Sequence, residues 1–227
     1  MVIGIIAALD EEVSYVKESM IVQRQEKKAG FNFYFGTLVS KPVVLCQSGV
    51  GKVNAAICTT LLIEVFSCGV IINTGAAAGL SSDMATGDVV VSDSVMHHDV
   101  DVTAFGYELG QVPGMPLAYE ADKALIDIMR HFSDPHFTHH MHIGSVIAAD
   151  AFVCNTTFVK DKFPIAIALD MESNGIAQTC HRFSIPFIVI RSISDDGGEE
   201  AKTTHEMFLQ IAGENSAMLA RFLVGKL

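Results

Sequence analysis

The sequence has few basic residues, no tryptophan and only five cysteines. Its 227 residues include 15 Lys and Arg against 26 Asp and Glu, so the formal net charge is −11. A nucleic-acid partner requires a basic surface that displaces counterions from phosphates, and this composition argues against such a partner. A small neutral or zwitterionic ligand is expected instead.

The cysteines are odd in number, scattered and form no CxxC pair. Four of the five lie in apolar surroundings. This pattern favours reduced, buried thiols over disulfides or a zinc site, and it is typical of a cytoplasmic protein.

Long apolar runs are also missing. The most apolar later stretch, 61–72, is interrupted by Glu64 and is too short to span a bilayer. Residues 2–9 are apolar, but no basic segment precedes them and they lead directly into Asp10. We therefore expect a buried first strand rather than a signal peptide, and no membrane partner.

Half of the residues are hydrophobic, which supplies a sizeable core. Strand-like and helix-like segments alternate along the chain without an internal repeat or a linker. They include a β-hairpin at 31–39 and 42–47, a short strand at 69–73 and a closing helix at 203–227. This order predicts a single domain, 1–227, of the α/β class, with three αβα layers around a mixed central sheet.

The stretch around which the chain is organised runs from Ala168 to Asp196. An apolar strand at 165–170, a helix at 171–183 and a β-branched strand at 186–193 follow one another. Glu172 follows the first strand and Asp195 follows the second. Ligands of α/β sheets bind beyond the carboxyl ends of the strands, so we expect these two carboxylates to meet in one pocket.

Two other segments lie at predicted strand-to-helix junctions. Asp10, Glu11 and Glu12 are explained at least in part as acids at the positive end of a helix dipole, although one of them has the position to face a pocket. The turn SGVGK at 48–52 does not match GxxxxGK[ST], so we interpret it as a tight turn and a helix start rather than a nucleotide P-loop.

Histidines cluster in two places, HHDVD at 97–101 and the tract His131–His142, which holds five of the nine. Neither spacing matches a structural zinc pattern, so we expect no metal and interpret the tract as a solvated connector. The long irregular stretch 95–116 has the length of a functional or interface loop, and its Phe105 and Tyr107 suggest a partner surface.

A family resemblance extends over almost the whole chain. Eight segments occur in order: IGIIAALDEEV, SGVGKVNAA, INTGAAAGL, GDVVVSD, HDVDVTAFGYELGQVPGMP, DAFV, ALDMES and IVIRSISD. Together they resemble the bacterial 5′-methylthioadenosine/S-adenosylhomocysteine nucleosidases of the purine nucleoside phosphorylase superfamily. The resemblance implies a nucleoside phosphorylase/hydrolase-like fold and a cofactor-free enzyme that cleaves 5′-thio-substituted adenosines with water.

The resemblance also implies roles for individual residues. Glu12 would be the general base for water, and Asp195 the general acid that protonates adenine N7. Glu172 would hold the ribose hydroxyls, with Met171 beside it. The other implied substrate-site residues are Ala78, Ala151, Phe152, Val153, Arg191 and Ser194, of which the last two would support the water and Asp195.

The family forms homodimers in which a long loop covers the neighbour's 5′-thio pocket. For this chain the resemblance therefore implies a homodimer in which Val102, Phe105 and Pro113 cross the interface. The implied context is methionine salvage and S-adenosylhomocysteine recycling in the cytoplasm.

Four positions depart from the family pattern. Ala76 stands where Ser is frequent, Ala78 where Gly is usual near the ribose, Asp170 where Glu is usual, and His205 where an aromatic residue covers the base. None of these removes Glu12, Glu172 or Asp195.

Several other functions stay open at this point. They are a phosphorylase of the same fold, a related hydrolase for another adenine nucleoside such as aminodeoxyfutalosine, a non-catalytic nucleoside sensor, and a histidine-tract metal-binding protein. A phosphorylase needs cations around phosphate, and of the five arginines only Arg191 lies in a candidate site motif.

Overall fold

The computed structural model describes residues 1–227, which form ten strands and six helices. The strands are β1 (Val2–Ala7), β2 (Met20–Lys28), β3 (Phe31–Leu38), β4 (Lys41–Gln47), β5 (Cys68–Gly79), β6 (Val89–His97), β7 (Tyr119–Glu120), β8 (Met141–Ala148), β9 (Ala166–Asp170) and β10 (Phe187–Asp195). The helices are α1 (Asp10–Glu18), α2 (Lys52–Glu64), α3 (Lys123–Met129), α4 (Thr157–Lys162), α5 (Ser173–Phe183) and α6 (Ala201–Lys226).

All strands belong to one mixed sheet. Its order is β10-β6-β8-β9-β5-β1-β4-β3-β2, with the short β7 beside β6. Because β10 pairs with β5 as well as with β6, the strands β5, β10, β6, β8 and β9 form a closed ring, from which β1, β4, β3 and β2 extend. The predicted α/β class with a mixed sheet is confirmed, whereas the ring closure was not predicted.

The helices form two groups that flank the sheet. Helix α2 packs against α5, while α6 packs against α1 and α3 and lies on β5 and β10. The first contact depends on Gly175, since a Cβ at this position would overlap the carbonyl of Lys52 at the start of α2. None of the helices has the length and apolar character needed to cross a bilayer.

Several predicted elements differ in extent. The segment after Asn73 continues as part of β5 to Gly79, because its small residues pair with β10 and β9. Strand β2 was missed, since seven of its nine residues are exposed and its sequence lacks apolar alternation. It is held by pairing along β3 rather than by burial.

Candidate active site

One cavity of about 400 Å³ lies where β1, β5, β9 and β10 end, a size ordinary for a small-molecule site. Its wall is mostly apolar and carries acidic side chains and one histidine. The lining residues are Ala8, Leu9, Glu12, Val50, Ala76, Ala77, Ala78, Ala151, Phe152, Val153, Leu169, Asp170, Met171, Glu172, Asp195 and His205.

Strand register brings the distant segments of this wall together. Ala78 of β5 lies opposite Leu169 of β9 on one side and opposite Asp195 of β10 on the other. The register of β10 shifts between Ile193 and Asp195, so that Ser194 is an extra, bulged residue. In a regular strand Ile193 and Asp195 would share a face. The bulge instead leaves Ile193 in the core and turns Asp195 into the cavity.

Glu12 is buried in the first turn of α1 and its carboxylate is held by three backbone amides. Oε2 accepts from the N–H groups of Ala8 at 2.9 Å and Leu9 at 3.0 Å, and Oε1 accepts from Ala76 N–H at 2.8 Å. A carboxylate has about four acceptor positions, so one is left for a molecule in the cavity. Close approach to Gly75 is required, since a Cβ there would lie 2.5 Å from Oε1.

Glu172 is anchored on the opposite side by the N-terminus of α2. Its Oε1 accepts from Gly51 N–H at 2.9 Å, and the neighbouring Lys52 N–H donates to Asp150 at 2.8 Å. The glycine-rich turn therefore does hold anions at a helix N-terminus, but they are carboxylates of the protein itself. The turn therefore binds these carboxylates and not a nucleotide phosphate, in agreement with its lack of a P-loop sequence.

Arg191 connects two carboxylates behind the cavity wall. Its side chain is 1% exposed, and it forms ion pairs with Asp170 at 2.7 Å and Glu172 at 3.1 Å. Its Nη1 also donates to the carbonyl of Ala76 at 3.3 Å. Burial works against the charge of Arg191, but the nearby carboxylates outweigh it and raise the pKa of the guanidinium. Burial raises the pKa of Glu172 to about 7, although Arg191 opposes this shift.

Asp195 belongs to a chain of three polar side chains. Its Oδ1 accepts from Gly197 N–H at 2.9 Å, and its Oδ2 accepts from the Ser194 hydroxyl at 2.8 Å. The same hydroxyl lies 2.9 Å from Nδ1 of His205, which is 3.7 Å from Asp195 Oδ2. The ring of His205 packs edge-on to Phe152, with centroids 5.8 Å apart.

A family model described as "Phosphorylase superfamily" matches residues 2–225. The 5′-methylthioadenosine/S-adenosylhomocysteine nucleosidase of Oceanobacillus iheyensis is 46% identical over 230 residues, covering all of both chains. The chain belongs to the 5′-methylthioadenosine/S-adenosylhomocysteine nucleosidase family. The resemblance seen in the eight sequence segments is thereby confirmed.

Solved structures of nucleosidases have the same fold. The Neisseria meningitidis nucleosidase, in complex with methylthio-immucillin-A, superposes with a TM-score of 0.96 at 37% identity, covering 100% of this chain and 99% of that one. The futalosine hydrolase of Helicobacter pylori superposes with a TM-score of 0.94 at 28% identity, covering 100% of this chain and 98% of that one. Of these two structures, the futalosine hydrolase is the more distant in sequence.

Most of the residues implied by the nucleosidase resemblance line the cavity. Arg191 and Ser194 do not reach it, because each is buried behind a carboxylate that does. Val102, Phe105 and Pro113 also lie outside this chain's own cavity. The predicted residues that line it are Glu12, Ala78, Ala151, Phe152, Val153, Met171, Glu172 and Asp195.

Sequence reasoning missed several contributors to this nucleosidase site. Val50 lines the cavity, although its segment was interpreted only as a tight turn. Asp170 fixes the turn into α5 by accepting from Ser173 N–H at 3.1 Å and Ser173 Oγ at 2.8 Å. The signal was an Asp three residues before a Ser at a helix start. His205 also lines the cavity, and the sequence comparison indicated only that it replaces an aromatic residue that covers the base in the family.

The histidine-rich segments form no metal centre. Nowhere in the structure do three His, Cys, Asp or Glu side chains come together with the geometry to hold a metal ion. His97 is instead buried between Asn174 at 2.8 Å and Gln178 at 2.9 Å. His142 lies 3.2 Å from the buried Asp88.

Proposed function

We propose that this protein hydrolyses the N-glycosidic bond of 5′-methylthioadenosine and S-adenosylhomocysteine, releasing adenine and the 5-thioribose product. The observation that carries the proposal is the composition of the cavity wall. Three buried carboxylates from three separate elements, Glu12, Glu172 and Asp195, face one cavity, while the only nearby arginine, Arg191, lies behind it in ion pairs with Asp170 and Glu172.

The carboxylates match the chemistry of glycosidic cleavage. The C1′–N9 bond breaks through a transition state with oxocarbenium character, which negative charge around the sugar stabilises. Adenine leaves poorly as an anion, so a proton has to reach N7. Asp195 supplies that proton from one wall of the cavity, a role typically worth roughly 10²–10⁴-fold in rate.

Glu12 and Glu172 complete the reaction. Glu172 accepts hydrogen bonds from the ribose hydroxyls, and its position on Gly51 N–H and Arg191 keeps its carboxyl group in one orientation. Glu12 receives the proton of the attacking water on its one acceptor position that faces the cavity. The apolar side chains of Phe152 and Val153 provide flat contacts for the purine.

Water rather than phosphate is the expected nucleophile. A phosphate monoanion or dianion requires cations or several free N–H donors. The guanidinium of Arg191 is occupied by Asp170, Glu172 and the Ala76 carbonyl, and the Ala76 N–H donates to Glu12. Ala76 itself carries no hydroxyl, so this wall repels an anion.

We further infer that two chains form a homodimer whose loops complete each other's 5′-thio pocket. Phe105 is 81% exposed on the long loop, and no residue of this loop lines its own chain's cavity. On α2, the exposed side chains Val53 and Ile57 continue from Val50 at the cavity mouth. An apolar stripe of this kind, next to an incomplete pocket, favours a partner of the same chain.

The chemistry sets a cellular context. Cleavage of these two nucleosides supports a role in methionine salvage and S-adenosylhomocysteine recycling in the cytoplasm. A related nucleoside with a different 5′ group, such as aminodeoxyfutalosine, is the second candidate substrate, because the futalosine hydrolase of H. pylori has the same fold.

The test is adenine release measured with purified protein, with and without phosphate. We expect release from methylthioadenosine and S-adenosylhomocysteine in phosphate-free buffer, with no increase when phosphate is added. Product that appears only with phosphate would contradict hydrolysis. A strong preference for aminodeoxyfutalosine would select the second candidate.

A further inference from the structure

His205 occupies a position from which it can exchange a proton with Asp195. It lies in the first turns of α6, lines the cavity and keeps 24% of its side chain exposed. Its Nδ1 contacts Ser194 Oγ at 2.9 Å, and Ser194 Oγ contacts Asp195 Oδ2 at 2.8 Å. The three groups thus connect a partly exposed imidazole with a carboxylate that is 3% exposed.

The direction of the hydrogen bonds that link His205, Ser194 and Asp195 depends on which group carries the proton. A serine hydroxyl has one proton, so when Ser194 donates to Asp195, Nδ1 of His205 has to donate to Ser194. When Asp195 carries the proton on Oδ2, the direction reverses, and Ser194 donates to an unprotonated Nδ1. The chain therefore has two arrangements, which differ by the transfer of one proton.

We propose that His205 is a positioning residue that resupplies Asp195 with a proton through Ser194. This rests on the proposed nucleosidase function. When Asp195 has given its proton to the leaving base, Oδ2 takes the hydroxyl proton of Ser194, and Ser194 takes the Nδ1 proton of imidazolium His205. His205 is left neutral and regains a proton from solvent, and no electrons are transferred.

The surroundings of His205 favour its protonated form. The nearby carboxylate of Asp195, 3.7 Å from Nδ1, raises the pKa of His205 against the effect of its burial. Glu12 on α1 and Glu206 on α6 add negative charge and act in the same direction.

Phe152 and Lys202 are the other neighbours of His205 to consider. Phe152, which packs on the ring from the loop after β8, carries no charge. Lys202, the cation nearest to His205 along the same helix, pairs with Glu206 at 3.9 Å rather than with the imidazole.

The proposal has a consequence for the pH profile. A lone aspartate has an ordinary pKa of about 3.9 and histidine about 6.5. With His205 present, the pair retains one proton into the neutral range. Without His205 this proton reserve is lost, and kcat falls earlier as the pH rises.

The experiment compares kcat and KM from pH 5 to 9 for wild type, His205→Phe and His205→Asn. Phe keeps an aromatic ring against Phe152, while Asn keeps an amide donor near the place of Nδ1 but cannot release a proton. We expect the wild-type-to-variant ratio of kcat to rise by about tenfold or more as the pH increases from 5 to the ionisation of His205, with KM within about twofold. A ratio that stays constant over the pH range indicates a packing role and overturns the proposal.

A second measurement does not depend on turnover. The ring signal of His205, assigned by its loss in His205→Asn, is followed by NMR against pH in wild type and in Asp195→Asn. We expect its pKa above about 6.5 in wild type and lowered in Asp195→Asn. An unchanged titration overturns the proposal, whereas failure of wild type to release adenine, with this coupling intact, refutes the nucleosidase function instead.

Discussion

Replacing Arg191 with Met tests whether this guanidinium is needed to neutralise the buried acids behind the active site. Arg191 is 1% exposed and pairs with Asp170 at 2.7 Å and Glu172 at 3.1 Å. Removing one partner of a buried ion pair costs about 3–5 kcal/mol, because the remaining charge has no compensation. For a domain of this size the loss corresponds to a decrease in Tm of about 6–20 °C.

The loss should depend on pH in a defined direction. Burial already raises the pKa of Glu172 to about 7 with Arg191 present, and without it the pKa rises further. A carboxyl group with a raised folded-state pKa contributes stability that is complete below its unfolded pKa and lost as pH rises through the folded one. The stability difference between wild type and Arg191→Met is therefore expected to be largest at pH 8.5 and less than about half as large at pH 5.

Urea unfolding at fixed protein concentration, followed by circular dichroism at the two pH values, measures this difference. Arg221→Met is the matched control, because Arg221 is exposed on α6 and forms no ion pair. That variant should remain within about 0.5 kcal/mol of wild type. An equal loss at both pH values in Arg191→Met would show that packing, not uncompensated charge, is responsible, and would refute the reasoning.

Three further predictions concern catalysis, packing and the subunit interface. Asp195→Asn should lower kcat by about 10²–10⁴-fold, while Asp196→Asn at the exposed neighbouring position should not; near-normal turnover of the first variant would remove Asp195 from the acid role. Gly175→Ala should cost about 1–3 kcal/mol in urea unfolding, because the added methyl overlaps the Lys52 carbonyl. Gly225→Ala, whose methyl would lie 3.5 Å from Val39, should be neutral or stabilising, and equal losses would contradict this account. Phe105→Ser should raise KM for methylthioadenosine about tenfold with a smaller change in kcat, as expected for one apolar contact of about 1.4 kcal/mol. Phe158→Ser, exposed on α4, serves as its control, and an unchanged KM in Phe105→Ser would argue against the shared pocket.

Local sequence patterns predicted much of the fold. The hairpin of β3 and β4, the unit of β9, α5 and β10, and the closing helix α6 all occur close to their expected bounds. These elements have strong apolar periodicity or continuous β-branched runs, which depend only on neighbouring residues. Strand β2 lacks this periodicity, and its pairing with β3 is a long-range property that its own residues do not encode.

The candidate site was predicted in outline for a similar reason. Glu172 follows strand β9 and Glu12 lies at the start of α1, and chain order alone places both at strand ends. The series of family segments then indicated their chemistry. The sequence did not predict the hydrogen bonds that hold these carboxylates in place. Gly51 N–H on Glu172 joins residues 121 positions apart, and Ala76 N–H on Glu12 joins residues 64 positions apart.

The amino-acid sequence by itself determined the class of fold, the net negative charge and the family to which the chain belongs, because composition and motif order are properties of the chain. Only the tertiary structure showed how Asp195 reaches the predicted pocket: the bulge at Ser194 turns it to the side opposite to the one that strand alternation would give. The tertiary structure also showed that Arg191 forms ion pairs with Asp170 and Glu172, and that His205 contacts Ser194. These relations arise where separate strands and helices meet, and no local pattern specifies them.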